Sequence, residues 1–306
     1  MGTKSKEEIS QVVNHMRKQR DALILAHNYQ LDEVQDIADF VGDSFALCKA
    51  AAEAKEKLII FCGVHFMAET AAILSPEKTI VLPAPDAGCP LADTVNVHDL
   101  QALKDKYPGA KVVTYINSPA NVKAISDICC TSANAVKVVR SLPEKQIIFV
   151  PDRNLGAYVQ QQVPEKEIIL WPGSCITHER VQEKEVNTVR ELFPDALILV
   201  HPECTPSVTK LADFVGSTSQ ILEFAKNSSA HRFVIGTEMG IIHRLRKENP
   251  KKEFYSLSPR LVCPNMKKNT LEKVLNSLLY LKEEIKVPEE IRGKAKNALD
   301  KMLQIR

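Results

Sequence analysis

Three homologous αβα domains with short parallel sheets, arranged about a pseudo-threefold axis, are the α/β architecture that this 306-residue sequence predicts. Three observations lead there. A set of features recurs at spacings of 86 to 88 residues, the apolar runs are short and continuous, and stretches of helical period separate them. The first copy opens on Leu23-Ile24-Leu25-Ala26, which ends in His27-Asn28-Tyr29. At +88 stands Val112-Val113-Thr114, ending in Tyr115-Ile116-Asn117, and a further +86 gives Leu197-Ile198-Leu199-Val200, ending in His201-Pro202-Glu203. Asp39, Asp127 and Asp213 follow at the same two offsets, then Ser44, Ser132 and Thr218, then the runs Leu58–Cys62, Ile147–Val150 and Phe233–Ile235. Cys89, Cys175 and Cys263 close the copies with the offsets reversed, 86 and then 88.

The elements of the first copy follow from this pattern. Strands are expected at 23–27, 38–42, 58–62 and 79–82, because each is an apolar run of strand length bounded by turn residues. Their continuous Val, Ile and Leu content, without alternation, suits sheets covered on both faces. Amphipathic stretches at 32–37, 44–56, 65–74 and 96–106 supply the intervening helices. Alternating strands and helices of these lengths make parallel βαβ units, whose functional groups gather outside the carboxyl ends of the strands. Two more helices, at 269–285 and 288–304, flank Lys286-Val287-Pro288 and pack back on the body. The domain limits read as 1–90, 91–177 and 178–264, with a helical extension over 265–306.

Composition narrows the function. A hydrophobic content of 44% is ample for real cores, and a net charge of +2 with interspersed signs gives no footprint for nucleic acid or for a membrane surface. No apolar segment approaches the ~20 residues of a membrane span. The start, Met-Gly-Thr-Lys-Ser-Lys, has no signal-peptide apolar region and misses the myristoylation pattern, so cytoplasmic residence is expected.

Of the eight cysteines none forms Cys-x-x-Cys, which disfavours zinc ribbons, thioredoxin-like redox motifs and bacterial ferredoxin runs. Cys48 and Cys62 fall within a helix and a strand and read as buried inert thiols, Cys129 and Cys130 are adjacent, and Cys204 follows Glu203. Cys89, Cys175 and Cys263 instead sit in loops after a strand, and the repeat brings them together. Three thiolates with no repeat-matched fourth ligand suit a soft centre with an open position. Zinc would accept them with water or with His178, and an iron–sulfur cube would accept them and leave one iron bare. These residues leave that choice open.

The polar residues describe a cavity around the trio. Ser44, Ser132 and Thr218 read as N-caps, whose helix termini favour carboxylates or phosphates. The strand tips differ from copy to copy: His27 and Tyr29, Tyr115 and Asn117, His201 and Glu203. Glu203 beside His201 is the best acid–base candidate.

Seven stretches resemble the quinolinate synthase family: Ile24-Leu-Ala-His-Asn-Tyr-Gln30, Asp36-Ile-Ala-Asp-Phe-Val-Gly-Asp-Ser44, Thr131-Ser-Ala-Asn-Ala135, His201-Pro-Glu-Cys204, Gly216-Ser-Thr218, Gly236-Thr-Glu238 and Cys263-Pro-Asn-Met-Lys-Lys-Asn-Thr270. They span nearly the whole chain in order. The resemblance implies a [4Fe–4S] cluster held by Cys89, Cys175 and Cys263. It implies condensation of iminoaspartate with dihydroxyacetone phosphate to quinolinate, on the route to NAD, beside an enzyme that supplies iminoaspartate. Tyr29, Tyr115, Glu203 and His201 fall at catalytic positions, and His27, Ser44, Asn117, Ser132, Ser217 and Thr218 at substrate-binding ones. The chain departs at Ile176, where many members have proline. Two other readings fit the same thiols. One is another three-cysteine cluster enzyme, such as the isoprenoid diphosphate reductase or the radical-forming diphthamide enzymes, which need an electron supply. The other is a zinc-stabilised ligand-binding protein.

Overall fold

In a computed structural model that describes residues 5–305, the strands fall where the apolar runs lie. Met1–Lys4, which belong to the start expected to carry neither a signal peptide nor a myristoylation pattern, and Arg306 lie outside the described residues. The strands are β1 (Ala22–His27), β2 (Phe40–Gly42), β3 (Leu58–Cys62), β4 (Thr79–Val81), β5 (Lys111–Tyr115), β6 (Ile128–Cys130), β7 (Gln146–Val150), β8 (Glu167–Leu170), β9 (Leu197–Val200), β10 (Phe214–Val215), β11 (Arg232–Gly236) and β12 (Glu253–Ser256). They form three four-stranded sheets, β2-β1-β3-β4, β6-β5-β7-β8 and β10-β9-β11-β12, and every pairing is parallel. The strand order is the same in each sheet, shifted by four. Helices flank all three sheets, giving the αβα layering expected of continuous apolar strands: all of Leu58–Cys62 is buried.

The repeat uses two of its polar positions to hold the sheets together. Asp39, Asp127 and Asp213 each turn a carboxylate oxygen onto a backbone N–H of the first strand, at Ile24 (2.8 Å), Val112 (2.9 Å) and Ile198 (2.7 Å). Their own N–H groups donate back to the carbonyls of the same three residues. A cation faces each carboxylate: Arg17, Lys111 and Arg190. Lys78, Lys166 and Lys252 are a second trio at the same offsets. Each ammonium donates to carbonyls just beyond a helix or in its last turn, among them Ala54 (2.7 Å), Glu144 (2.8 Å) and Ser228 (2.7 Å). A cation there satisfies carbonyls that the helix leaves unpaired and complements its dipole. The first of these helices, Ser44–Glu53, accordingly stops short of the expected 56, with Ala54 extended and its carbonyl on Lys78.

The C-terminal helices are Leu271–Tyr280, shorter than the expected 269–285, and Glu289–Gln304. The second lies against the helix Ala120–Ala124, β6 and the helix His65–Leu74. It buries Ala295, Ala298, Leu299 and Met302 in one core shared by the first two sheets, which joins Phe61 to Phe149. The third sheet has cores of its own on its two faces. No helix among the described residues is long and apolar enough to cross a membrane.

Removing one sheet clasp tests this arrangement. Asp213→Ala should lower stability by about 1.5–3 kcal/mol, the worth of a hydrogen bond to a charged group. Urea unfolding should show a lower midpoint at an unchanged slope.

Candidate active site

The three candidate thiols occupy loops of one construction. The residue three places beyond the third strand of each copy donates its N–H to the carbonyl two residues before the cysteine: His65 to Ala87 (2.9 Å), Arg153 to Gly173 (2.8 Å) and Met239 to Leu261 (2.8 Å). The cysteine carbonyl then accepts from Asp93 (3.1 Å), Glu179 (2.8 Å) or Lys267 (3.3 Å), closing a turn. In the second and third copies a carboxylate also holds the cysteine N–H, Asp152 to Cys175 and Glu238 to Cys263, both at 3.1 Å. The equivalent residue of the first copy is Val64, so Cys89 has no such partner there. All three cysteines line a single cavity, and they are the only cysteines that are not buried. Burial of the sulfur nevertheless pushes the Cys89 thiol up to about 12 and raises Cys175 and Cys263 as well, with the charge of Glu203 adding to the first two and that of Glu238 to Cys263. As free thiols they stay protonated, and only a cation among them would draw out thiolates.

The polar groups of the cavity converge on Glu203, which is 3% exposed. One carboxylate oxygen accepts from the Tyr115 hydroxyl at 2.7 Å, and the other lies 2.7 Å from Nδ1 of His178. His178 Nδ1 is also 3.2 Å from Cys175 Sγ, and its Nε2 is 2.9 Å from the Thr237 hydroxyl. Thr237 in turn meets the Tyr29 hydroxyl at 2.6 Å. The imidazoles of His178 and His201 stack, their centroids 4.9 Å apart.

The two strand-tip histidines are set by one device. His27 Nδ1 accepts the N–H of Tyr29 at 3.2 Å, and His201 Nδ1 accepts the N–H of Glu203 at 3.3 Å. That bond assigns the proton to Nε2, which in His201 points to Ser132 Oγ at 3.1 Å. Burial holds both imidazoles down at about 3, so they are neutral donors. Burial alone would push Glu203 up, but the neighbouring His201 and His178 and the hydrogen bonds from His178 and Tyr115 hold it down at about 2, a carboxylate. Burial and that same charge raise Tyr29 and Tyr115, which remain phenols.

The cavity gathers Tyr29, Tyr115, Glu203, His201, His27, Ser44, Asn117, Ser132, Thr218, Cys89, Cys175 and Cys263. Ser217 lies outside its lining, with its hydroxyl accepting the Gln220 N–H in a capping box. The caps differ from expectation by a residue or two. Asp43 and Ser217 cap the helices that Ser44 and Thr218 begin, and Asn134 precedes the helix after Ser132. A side chain engaged as a cap could not serve a ligand, and the shift leaves Ser44 and Thr218, whose hydroxyl accepts from Asn28 at 3.4 Å, in the cavity lining rather than engaged as caps. Asn117 Oδ1 is buried with no partner, a polar atom unmatched within the protein. Sequence reasoning missed Asp152 and Thr237, and weighed His178 only as a fourth zinc ligand. The repeat carried a signal for part of this, since Asp152 and Glu238 stand at equivalent offsets.

The chain matches the family model described as quinolinate synthetase A protein over residues 11–304. It is 58% identical over 299 residues to the quinolinate synthase of Caldicellulosiruptor saccharolyticus, covering 98% of this chain and 99% of that protein. Identity to the quinolinate synthase of Alkaliphilus metalliredigens is 56% over 294 residues, covering 96% and 97%. To that of Geobacter metallireducens it is 54% over 299 residues, covering 98% of each.

The buried neutral histidines fix the sign of a pH effect. In the unfolded chain His27 titrates near its ordinary 6.5, whereas in the fold it holds no proton until about pH 3. Between these values the unfolded state binds more protons, so this contribution to stability is complete above 6.5 and is lost as pH falls towards 3. His27→Gln should flatten the metal-free protein's stability profile over that window by about 1.4 kcal/mol per pH unit, measured by urea unfolding.

Proposed function

The chain belongs to the quinolinate synthetase A protein family, enzymes that serve NAD biosynthesis, and from that premise we propose that it condenses iminoaspartate with dihydroxyacetone phosphate. The product is quinolinate, with loss of phosphate and two waters, and Cys89, Cys175 and Cys263 hold a [4Fe–4S] cluster. One observation carries this reading: three thiols from equivalent loops line the same cavity as the Glu203–Tyr115–His178 cluster. The donor set fits the cluster. It offers three soft ligands and no repeat-matched fourth, in a pocket where the thiols ionise only around a cation. When bound, a cluster with one iron free of protein sulfur supplies Lewis acidity towards a substrate hydroxyl.

The protein's own groups take the remaining parts. Ser44 and Thr218 begin ten-residue helices, so their hydroxyls and free N–H groups suit the carboxylates of iminoaspartate. Asn117, with its unmatched carbonyl oxygen, suits a hydroxyl or imine hydrogen of the substrate. The Nε2–H group of His27 suits a carboxylate or carbonyl oxygen without adding charge, and that of His201, 3.1 Å from Ser132 Oγ, orients the hydroxyl for the same purpose. Glu203 is ionised and buried, so it serves as the base that removes a carbon-bound proton during imine formation and isomerisation. Tyr115, already donating to it, carries the proton onward, and Tyr29 is linked to the same relay through Thr237 and His178. Ring closure gives an aromatic product, which makes the last step effectively irreversible.

Anaerobic reconstitution tests the assignment. The intact protein should take up about four irons and four sulfides per chain. Alanine at Cys89, Cys175 or Cys263 should abolish the cluster's visible absorption, and a fully loaded variant would remove that cysteine from the ligand set. Glu203→Gln should keep its iron while turnover falls by about 10²–10⁴-fold. A parallel loss of iron would make Glu203 structural instead.

A further inference from the structure

Beside the three-thiol arrangement the cavity holds a second set of donors that share only one cysteine with it. Cys175 Sγ, one ring nitrogen of His178 and one carboxylate oxygen of Glu203 all lie within 4.8 Å of one another. His178 Nδ1 stands between the other two, 3.2 Å from sulfur and 2.7 Å from oxygen. The geometry points to a mononuclear zinc site on Cys175, His178 and Glu203, which forms in the cluster-free protein and excludes the cluster.

The donor types are a thiolate, an imidazole and a carboxylate, a borderline-soft set that a tetrahedral divalent ion accepts. Ordinary zinc–ligand bonds put the sulfur–nitrogen and nitrogen–oxygen separations at roughly 3.4–3.6 Å. The present spacings are shorter, by about 0.4 Å for sulfur–nitrogen and about 0.7 Å for nitrogen–oxygen, as befits a hydrogen held where the cation would sit, and a bound ion would spread the donors by those amounts. The surroundings are those of a finished metal site. His178 Nε2 is fixed by Thr237 at 2.9 Å, which aims Nδ1 at the other two donors. The Glu203 oxygen not used for the metal is fixed by Tyr115 at 2.7 Å. The Cys175 N–H is held by Asp152 at 3.1 Å. His178 and Glu203 are 2% and 3% exposed, so they are already withdrawn from water before a metal arrives. Three protein ligands leave a fourth position open towards the cavity, for water.

The zinc form would consume Cys175, a thiol the cluster needs, and Glu203, the proposed base. Zinc and cluster are therefore alternatives, and a zinc-loaded chain is inactive until the ion is removed. The zinc site does not rest on the cluster assignment, because Cys89 and Cys263 belong to one set and not the other.

That difference supplies the test. Cluster-free protein, prepared anaerobically, is titrated with zinc sulfate against a chromophoric chelator, and with cobalt(II) for its visible spectrum. One zinc per chain is expected, with a cobalt–sulfur band of one thiolate. Cys89→Ala and Cys263→Ala should bind zinc as the parent does, although neither should assemble a cluster. His178→Ala should weaken zinc by more than ~100-fold, and Thr237→Val by about 10–100-fold, as for loss of an outer-shell partner. Zinc lost equally from Cys89→Ala or Cys263→Ala, or a band of three thiolates, would assign the ion to the cysteine trio and overturn the proposal. Unchanged affinity in His178→Ala would do the same, as would no zinc uptake at micromolar concentration. Should His178→Ala fail to fold by circular dichroism, the cobalt spectrum of the parent protein still decides between one sulfur and three.

Discussion

Taking a carboxylate as deep as Glu203 out of water costs several kcal/mol, and the fold must offset that cost locally. It does so with groups from different parts of the chain: a phenol from the tip of β5, an imidazole from the loop after Cys175, and the stacked His201 two residues back. The bond from Tyr115 does not survive if the third sheet shifts against the second. The buried charge therefore ties the relative placement of the sheets to the chemistry of the cavity. Burial first, and then the same charge, keep Tyr29 and Tyr115 protonated and help to hold the Cys89 and Cys175 sulfurs as thiols.

The third sheet meets the others mainly through polar contacts around this centre. Asn28 reaches Thr218, Arg244 reaches both Asn28 and the carbonyl of Val41, and Asn154 reaches the carbonyl of Glu203. Tyr29 and Thr237 join the first copy to the third, and Ser132 and His201 the second to the third. The first two sheets, by contrast, share one apolar core completed by the helix Glu289–Gln304. The cavity lies at the junction where packing gives way to hydrogen bonding, which suits a site that must solvate charged groups without bulk water.

Triplication explains why some repeated positions stayed alike and others diverged. Asp39, Asp127 and Asp213, and Lys78, Lys166 and Lys252, do the same structural work in each copy, and side-chain identity is kept because the backbone they bind is the same. At the strand tips the equivalent residues are His27, Tyr115 and His201, then Tyr29, Asn117 and Glu203. These face a shared cavity rather than their own sheet, so equivalence has no structural purpose there. Even so, His27 and His201 keep one local bond, each Nδ1 accepting the N–H two residues on.

By itself the sequence determined the local order of this protein: the strands, the parallel αβα units, the repeat and the three loop cysteines. Apolar run length, period and spacing are set by nearby residues, and a triplication repeats each of those signals. It misplaced the caps, because Asp43 and Ser44, or Ser217 and Thr218, are all good capping residues and only backbone dihedrals choose between neighbours. The lysine trio was not legible, since its partners are carbonyls more than twenty residues away and lysine is common on any surface. Only the tertiary structure decided that His178 stands between Cys175 and Glu203, and that Tyr115 reaches the same carboxylate across 88 residues. Such contacts depend on how the sheets dock, and docking is fixed by the summed packing and desolvation of surfaces that no single stretch of chain contains.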